Sequence, residues 1–232
     1  GMATSRSKLK RIKDILFRTN YVYAFSFTDD ELKVICDQMQ RKKNHYFLTG
    51  YASSLNVIAE YALRENYSIQ LRGVISLGDK LFDHYLKNVK NAFQTQVFDT
   101  YGGNEGFMIA AQDDISYYYI LSPHTYVEIL DDDKNPVPDG EMGHIIVTRL
   151  DAFSMPLIRY RIGDLGIKLP KEKYPKERKY GYPLLQKIVG RETDVVLLPD
   201  NRKLIVHSFT GIFEYISEIK QFKVIQENLA GI

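Results

Sequence analysis

The sequence predicts an α/β protein in which a parallel β-α-β-α-β sheet is followed by a small antiparallel β sheet or barrel. Three observations lead there. Between His45 and Asp99, three short apolar runs alternate with two stretches whose apolar residues recur at helical spacing. After Glu105 that alternation stops, and strand-like runs follow one another with turn residues between them. The chain has 232 residues, 44% of them hydrophobic, which is enough for a sizeable core.

Composition narrows the function classes. The 31 basic and 29 acidic residues leave a formal net charge of +2, which argues against a dedicated nucleic-acid binder. Cys36 is the only cysteine, so no intrachain disulfide forms, and a reducing, cytoplasmic setting fits. No apolar run is long enough to span a bilayer, and no signal-peptide pattern is present. Gly1-Met2 reads as an expression remnant ahead of a start methionine.

Each element follows from local pattern. Ser5 to Arg18 is basic and loosely amphipathic, with Leu9, Ile12 and Leu16 on one face; it reads as a solvated helix docked on the body, with a membrane-surface helix as the other reading. Thr28-Asp29-Asp30-Glu31 is a capping box. It opens a helix with Leu32, Ile35, Cys36 and Met39 inward, which makes Cys36 a core residue rather than a nucleophile. His45 to Thr49 reads as a strand, and Ser53 to Glu65 as a helix. Leu71 to Leu77 reads as a strand buried on both faces, because Val74, Ile75 and Leu77 leave little room for polar alternation. Lys80 to Phe93 is a helix and Gln96 to Asp99 a third strand. Right-handed crossovers then bring the loops Ser76-Leu77-Gly78-Asp79 and Thr100 to Glu105 to one sheet edge.

Beyond Glu105, strands are expected at Phe107 to Gln112, Tyr117 to Leu121, Tyr126 to Leu130, Gly143 to Leu150 and Leu157 to Ile162. Asp131 to Asp133 lacks the Gly and closing Glu of a calcium loop and reads as a turn. Lys171 to Pro183 reads as a solvated surface loop, rich in basic residues. Lys187 to Arg202 suggests two strands around Gly190-Arg191, with a turn at Asp200-Asn201, and Ser208 to Glu218 a helix.

Three stretches carry chemistry. Val97 to Glu105 is a strand running into a Tyr-Gly-Gly turn that ends on a carboxylate, at the edge where open α/β sheets bind ligands. Tyr101 can stack on a planar ring, and Gly102 and Gly103 let a ligand approach the backbone. Glu105 can hold magnesium through phosphate oxygens; a plain tight turn with a surface Glu also fits. In Arg159 to Asp164 an acid follows a strand and a glycine, suiting either a ribose diol or a turn cap. Gly190 to Asp194 supplies a guanidinium for a ribose or phosphate oxygen, or for a surface ion pair.

Taken in order, these stretches resemble the adenylate-forming (AMP-forming) ligase superfamily. Tyr101-Gly102-Gly103-Asn104-Glu105 is similar to its Tyr-Gly-x-Thr-Glu motif, and Tyr160-Arg161-Ile162-Gly163-Asp164 to its Tyr-Arg-Thr-Gly-Asp motif. Gly190-Arg191 with Asp194 is similar to its Gly-Arg-x-x-Asp hinge, and Gly143 to Thr148 to its Gly-Glu-Ile-Val-Val-Thr strand. Within the superfamily, Thr49 to Ser53 and Ser76 to Leu81 resemble phenylacetate–CoA ligases and CapK-type capsule-biosynthesis proteins. The likeness runs from about His45 onward.

The resemblance implies a two-step ligation: ATP activates a small carboxylic acid as an acyl-adenylate, and the thiol of coenzyme A or a carrier's pantetheine displaces AMP. It implies that Gly78 and Asp79 line the adenine pocket, with Asp99 near the exocyclic amine. Tyr101 would stack on adenine beside Gly102 and Gly103, Asn104 would bond an α-phosphate oxygen, and Glu105 would ligate Mg2+. Asp164 would bind the ribose, Arg191 the ribose or phosphate, and Asp194 would sit at the hinge of a C-terminal lid. The expected domains are 1–106 (α/β part of the large domain), 107–189 (antiparallel β subdomain) and 190–232 (hinge and start of the lid).

The chain departs from the family pattern in places. Asn104 replaces Thr, and Thr193 replaces the acid of many relatives. No Ser/Thr/Gly-rich phosphate loop occurs between Gly1 and Thr100, and neither Lys220 nor Lys223 has the context of the lid lysine. The expectation is therefore a chain that is incomplete and weakly active or inactive alone, associating with a complementary N-terminal half or with itself. The alternative is a non-catalytic adenine-nucleotide-binding or interaction module. The residues do not identify the acid or the thiol.

Overall fold

The computed structural model describes residues 13–14, 16–22, 27–41, 47–103, 105–192, 195–199, 203–205, 209, 213, 223–226 and 228. The chain divides into two compact units, residues 1–99 and 100–232.

In the first unit, helix α1 (Asp29–Arg41) begins at the expected capping box. The Thr28 N–H donates to Glu31 Oε2 at 2.9 Å, and the Glu31 N–H donates to Thr28 Oγ1 at 3.3 Å. Strand β1 (Phe47–Tyr51), helix α2 (Ala52–Arg64), strand β2 (Gly73–Leu77), helix α3 (Asp83–Phe93) and strand β3 (Val97–Gly103) follow. β2 lies between β1 and β3, parallel to both, as the crossovers require. Leu55 and Ile58 of α2 meet Val74, Val89 and Phe93 in one core, closed over by Leu32 and Cys36 of α1. Cys36 is a fully buried core residue.

Several boundaries move. α3 starts at Asp83 rather than Lys80, because Phe82 holds an extended backbone (φ −74°, ψ 156°) and caps the helix. β2 starts at Gly73, since the Leu71 N–H is spent on the Phe93 carbonyl at 3.1 Å. β1 runs to Tyr51, and His45 and Tyr46 of the expected strand lie outside the described residues.

β3 begins in the first unit and ends in the second, where Thr100 to Gly103 pair antiparallel with β4 (Phe107–Ala111). This corrects the expected turn from Thr100: the strand continues through Gly103, with a bulge between Tyr101 and Gly102. The turn comes later, closed by the Gly106 N–H on the Gly103 carbonyl at 3.1 Å. The remaining strands are β5 (Tyr118–Ile120), β6 (Thr125–Leu130), β7 (Met142–Arg149), β8 (Tyr160–Lys168) and β9 (Leu184–Arg191). Within this unit they are antiparallel, in the order β4-β5-β9-β8-β7-β6. Their inner faces meet at Ile109, Ile129, Ile145, Val147 and Leu185.

β8 is a second correction. The expected strand ended at Ile162, leaving Asp164 in the loop beyond it; β8 instead starts at Tyr160 and carries Asp164 in its middle. The Lys171 to Pro183 loop is more than a solvated connection. Tyr174 and Tyr182 pack on Tyr119, Leu169 and Leu184, and the Lys179 N–H donates to Asp114 Oδ2 at 2.8 Å. The Asp131 turn is as expected, with the Asn135 N–H on Asp131 Oδ1 at 2.8 Å. Strands β10 (Val195–Leu197) and β11 (Lys203–Ile205) form a hairpin.

Of the expected terminal helices, Lys13, Asp14 and Leu16 are helical, as are Phe209 and Phe213; most other residues of those stretches lie outside the described residues. Among the described residues no helix is long and apolar enough to cross a membrane.

Candidate functional site

The site is built on a bulge in β8. Arg161 faces Ile146 of β7 and Leu165 faces His144, so Ile162, Gly163 and Asp164 lie opposite Ile145 alone. Gly163 makes the bend at φ 85°, a conformation that a side chain disfavours. On its other edge β8 pairs Asp164 with Arg191 of β9. Residues from β3, β8 and β9 thus converge.

Asp164 is 8% exposed and Tyr101 likewise 8%. The Tyr101 hydroxyl donates to Asp164 Oδ2 at 2.8 Å, while Arg191 Nε lies 3.3 Å from Oδ1. Arg191 also donates from Nη1 to the Ile162 carbonyl at 3.1 Å, yet its side chain remains open to solvent. Burial raises the pKa of the Asp164 carboxyl, against the opposing pull of the Tyr101 hydrogen bond and the Arg191 charge. Burial, then the Asp164 charge, pushes the Tyr101 phenol up. Glu105 Oε1 accepts from the Tyr160 hydroxyl at 2.9 Å, and its charge contributes to the upward shifts of both Asp164 and Tyr101.

The structure therefore brings together Tyr101, Asp164 and Arg191, with Glu105 close by. Gly102 serves the hairpin itself: a Cβ there would lie 2.7 Å from the Phe107 carbonyl oxygen. Gly103 lies against the Glu105 carboxylate and Ile162. Asn104 and Asp194 fall outside the described residues.

Gly78, Asp79 and Asp99 belong to the first unit. Gly78 has φ 82°, and the Tyr51 ring covers the place of its missing side chain. The Asp79 carboxylate accepts from the backbone N–H groups of Ala52 and Ser53, the latter at 3.1 Å, so it caps α2. Asp99 is buried and in register with Ser76.

Sequence reasoning missed a second polar group, around His144. This residue of β7 is 7% exposed, with Nε2 2.7 Å from Asp132 Oδ1 and Nδ1 2.8 Å from Glu192 Oε2. Arg161 reaches the same Glu192 oxygen from Nε at 2.8 Å and from Nη2 at 2.7 Å. The available signal was a single ionisable side chain among Gly143, Ile145, Ile146 and Val147, which demands buried partners. A separate cavity of about 610 Å3 lies among Tyr126, Lys171, Tyr174 and Arg178 and shares no residue with either group.

Among the described residues no cluster of three or more His, Cys, Asp or Glu is placed to hold a metal alone. One carboxylate is nonetheless compatible with magnesium, which takes one or two carboxylates together with phosphate oxygens and water.

No family model matches the chain. It is 28% identical over 167 residues to a phenylacetate-coenzyme A ligase of Pseudomonas putida, covering 69% of this chain and 36% of that enzyme. A phenylacetate-coenzyme A ligase of Aromatoleum evansii is 36% identical over 80 residues, covering 34% of this chain and 17% of that one. The chain thus spans about a third or less of the curated relatives. Among solved structures it matches 2-hydroxyisobutyryl-CoA ligase, in an open conformation in complex with 2-HIB-AMP and CoA, with a TM-score of 0.66 and 19% identity, over 90% of this chain and 50% of that one. It also matches amide bond synthetase McbA of Marinactinospora thermotolerans, with a TM-score of 0.59 and 17% identity, over 84% and 40%.

Proposed function

Since this chain is related to phenylacetate-coenzyme A ligases and carries part of the adenylate-forming ligase fold, we propose that it binds an adenine nucleotide through Asp164 and Arg191 as part of an acid–CoA ligase. In that reaction a carboxylate oxygen attacks the α-phosphorus of ATP and pyrophosphate leaves. A thiol then attacks the acyl carbon and AMP leaves. The observation that supports this reading is the convergence of three separate stretches on one buried carboxylate, at 2.8 Å from Tyr101 and 3.3 Å from Arg191. Burial together with a raised pKa also makes Asp164 a functional-site candidate.

Asp164 would take the ribose hydroxyls, with Arg191, open to solvent, on the ribose or a phosphate oxygen. Tyr101 would wall the base and hold Asp164 in place through its hydroxyl. Glu105, oriented by Tyr160, would be the carboxylate ligand of a magnesium ion, which neutralises phosphate charge when bound. Gly78, Asp79 and Asp99 remain the proposed adenine ligands of the first unit, and Asn104 and Asp194 the proposed phosphate and hinge residues. Lacking a Ser/Thr/Gly-rich phosphate loop between Gly1 and Thr100, these 232 residues alone would bind nucleotide and turn it over slowly.

Calorimetric titration of AMP and Mg-ATP into the chain, beside Asp164→Ala, tests this. Binding of both, lost in the variant, is the expected result. A folded wild type that binds neither, or a variant that binds as well as wild type, removes the reading. An adenylation assay on the purified chain is expected to show little or no turnover; sustained turnover would overturn the expectation that these residues are weakly active or inactive alone.

A further inference from the structure

We propose that His144 is the positioning residue of the Gly190-Arg191-Glu192 segment, and that it acts as an imidazolium bridging Asp132 and Glu192. Two carboxylates from different elements approach one buried ring. Asp132, in the turn after β6, lies 2.7 Å from Nε2, and Glu192, just past β9, lies 2.8 Å from Nδ1. A neutral imidazole carries a single N–H and can donate to only one of them. The imidazolium donates to both. The charged groups that face the ring are Asp132, Glu192 and Arg161 of β8, whose Nη2 lies 3.0 and 3.1 Å from the two ring nitrogens. Two negative charges and one positive leave room for one proton on the ring.

The geometry also shows what the bridge holds. Glu192 is gripped at its side chain by His144 and Arg161 and at its backbone, where its N–H donates to the Gly163 carbonyl at 3.0 Å. Arg191, one residue earlier, is the residue in register with Asp164. Gly163 and Asp164 sit on the bulge itself. Loss of the proton puts a bare ring nitrogen against a carboxylate. Arg161 Nη2, nearly equidistant from both ring nitrogens, lies over the ring and cannot replace the lost in-plane donor, so one carboxylate loses its bond to the ring. Where that carboxylate is Glu192, its side chain is held by Arg161 alone. The segment therefore loosens once the ring gives up that proton. Asp132 is exposed and so tethers the ring without being part of the core.

As far as it concerns nucleotide affinity, this inference rests on the proposed function, so the test has two arms. In the first, 15N-histidine NMR is recorded from pH 5 to 9 on the whole chain, with His144 assigned by His144→Gln. The expected result is a His144 ring protonated on both nitrogens at the acid end, and a Glu192 amide whose shift follows the same midpoint. In His144→Gln the amide is expected to lose that pH response. In Asp132→Asn, a surface change that cannot disrupt the core, the midpoint moves to lower pH. A ring that stays neutral down to pH 5, or a Glu192 amide that titrates identically in His144→Gln, overturns the proposal.

In the second arm AMP is titrated at pH 6 and pH 8 into wild type and His144→Gln, the variant correcting for the titration of the AMP phosphate. Wild type should gain about fivefold more affinity at pH 6 than the variant does, at the lower end of ordinary site–site coupling. An equal gain in both refutes the coupling. If neither protein binds AMP, the proposed function fails, while the first arm still decides the role of His144.

Discussion

Asp164 answers to two demands that pull apart. Burial makes its charge costly, whereas a ligand would require that charge to be present. Asp164→Asn keeps an acceptor for the Tyr101 hydroxyl and removes the charge. It should leave stability within about 1 kcal/mol of wild type or raise it, as removing an imperfectly compensated buried charge does, while abolishing AMP binding; urea unfolding and calorimetry read the two effects separately. Tyr101 gives a pH test. Burial and the neighbouring carboxylate raise its pKa above the unfolded value of 10.0. Its contribution to stability is thus whole below pH 10 and is lost as pH climbs beyond it. Wild type should lose stability above pH 10 more steeply than Tyr101→Phe, measured by urea titration with circular dichroism.

At the scale of elements, helix termini and bulges decide where side chains go. Helix α2 begins directly at the end of β1, and Tyr51 makes no side-chain cap. The cap comes instead from Asp79, in the loop after β2, through the amides of Ala52 and Ser53. Asp79→Ala should cost about 1 kcal/mol, the usual worth of an N-cap, seen as a lower urea midpoint. If Asp79 also touches adenine, the same variant weakens AMP binding by more than the loss of stability explains. Capping of α1 by Thr28 and Glu31 was legible in four consecutive residues, because every partner is local. The cap on α2 was not, because its acid is 27 residues away. The β8 bulge was equally hidden. Tyr160 to Asp164 stood out as a motif, but whether the strand stops there or bends and continues depends on β7 and β9.

At the scale of the molecule, each unit holds its own core, one around Leu55, Val74 and Phe93 and the other around Ile109, Ile145 and Leu185. Leu55→Ala should cost about 2–5 kcal/mol, as large-to-small changes at fully buried sites do. Hydrogen exchange is expected to show the loss of protection concentrated in residues 47–99, with β4 to β9 largely protected. Uniform loss across both units would mean that they unfold as one.

Composition and periodicity by themselves determined the parallel βαβαβ run, the antiparallel succession after it and the buried place of Cys36. Those features arise from short-range pattern, since apolar spacing and turn residues select an element whatever lies far along the chain. The motifs likewise marked Tyr101, Asp164 and Arg191 as a set. Only the tertiary structure decided that the Tyr101 hydroxyl rests on Asp164, that the Lys171 to Pro183 loop packs on Tyr119, and that His144 sits between Asp132 and Glu192. Strand register and bulges set those contacts. One residue of shift turns a side chain to the opposite face, and no local pattern records which residue of a distant strand will stand across from it.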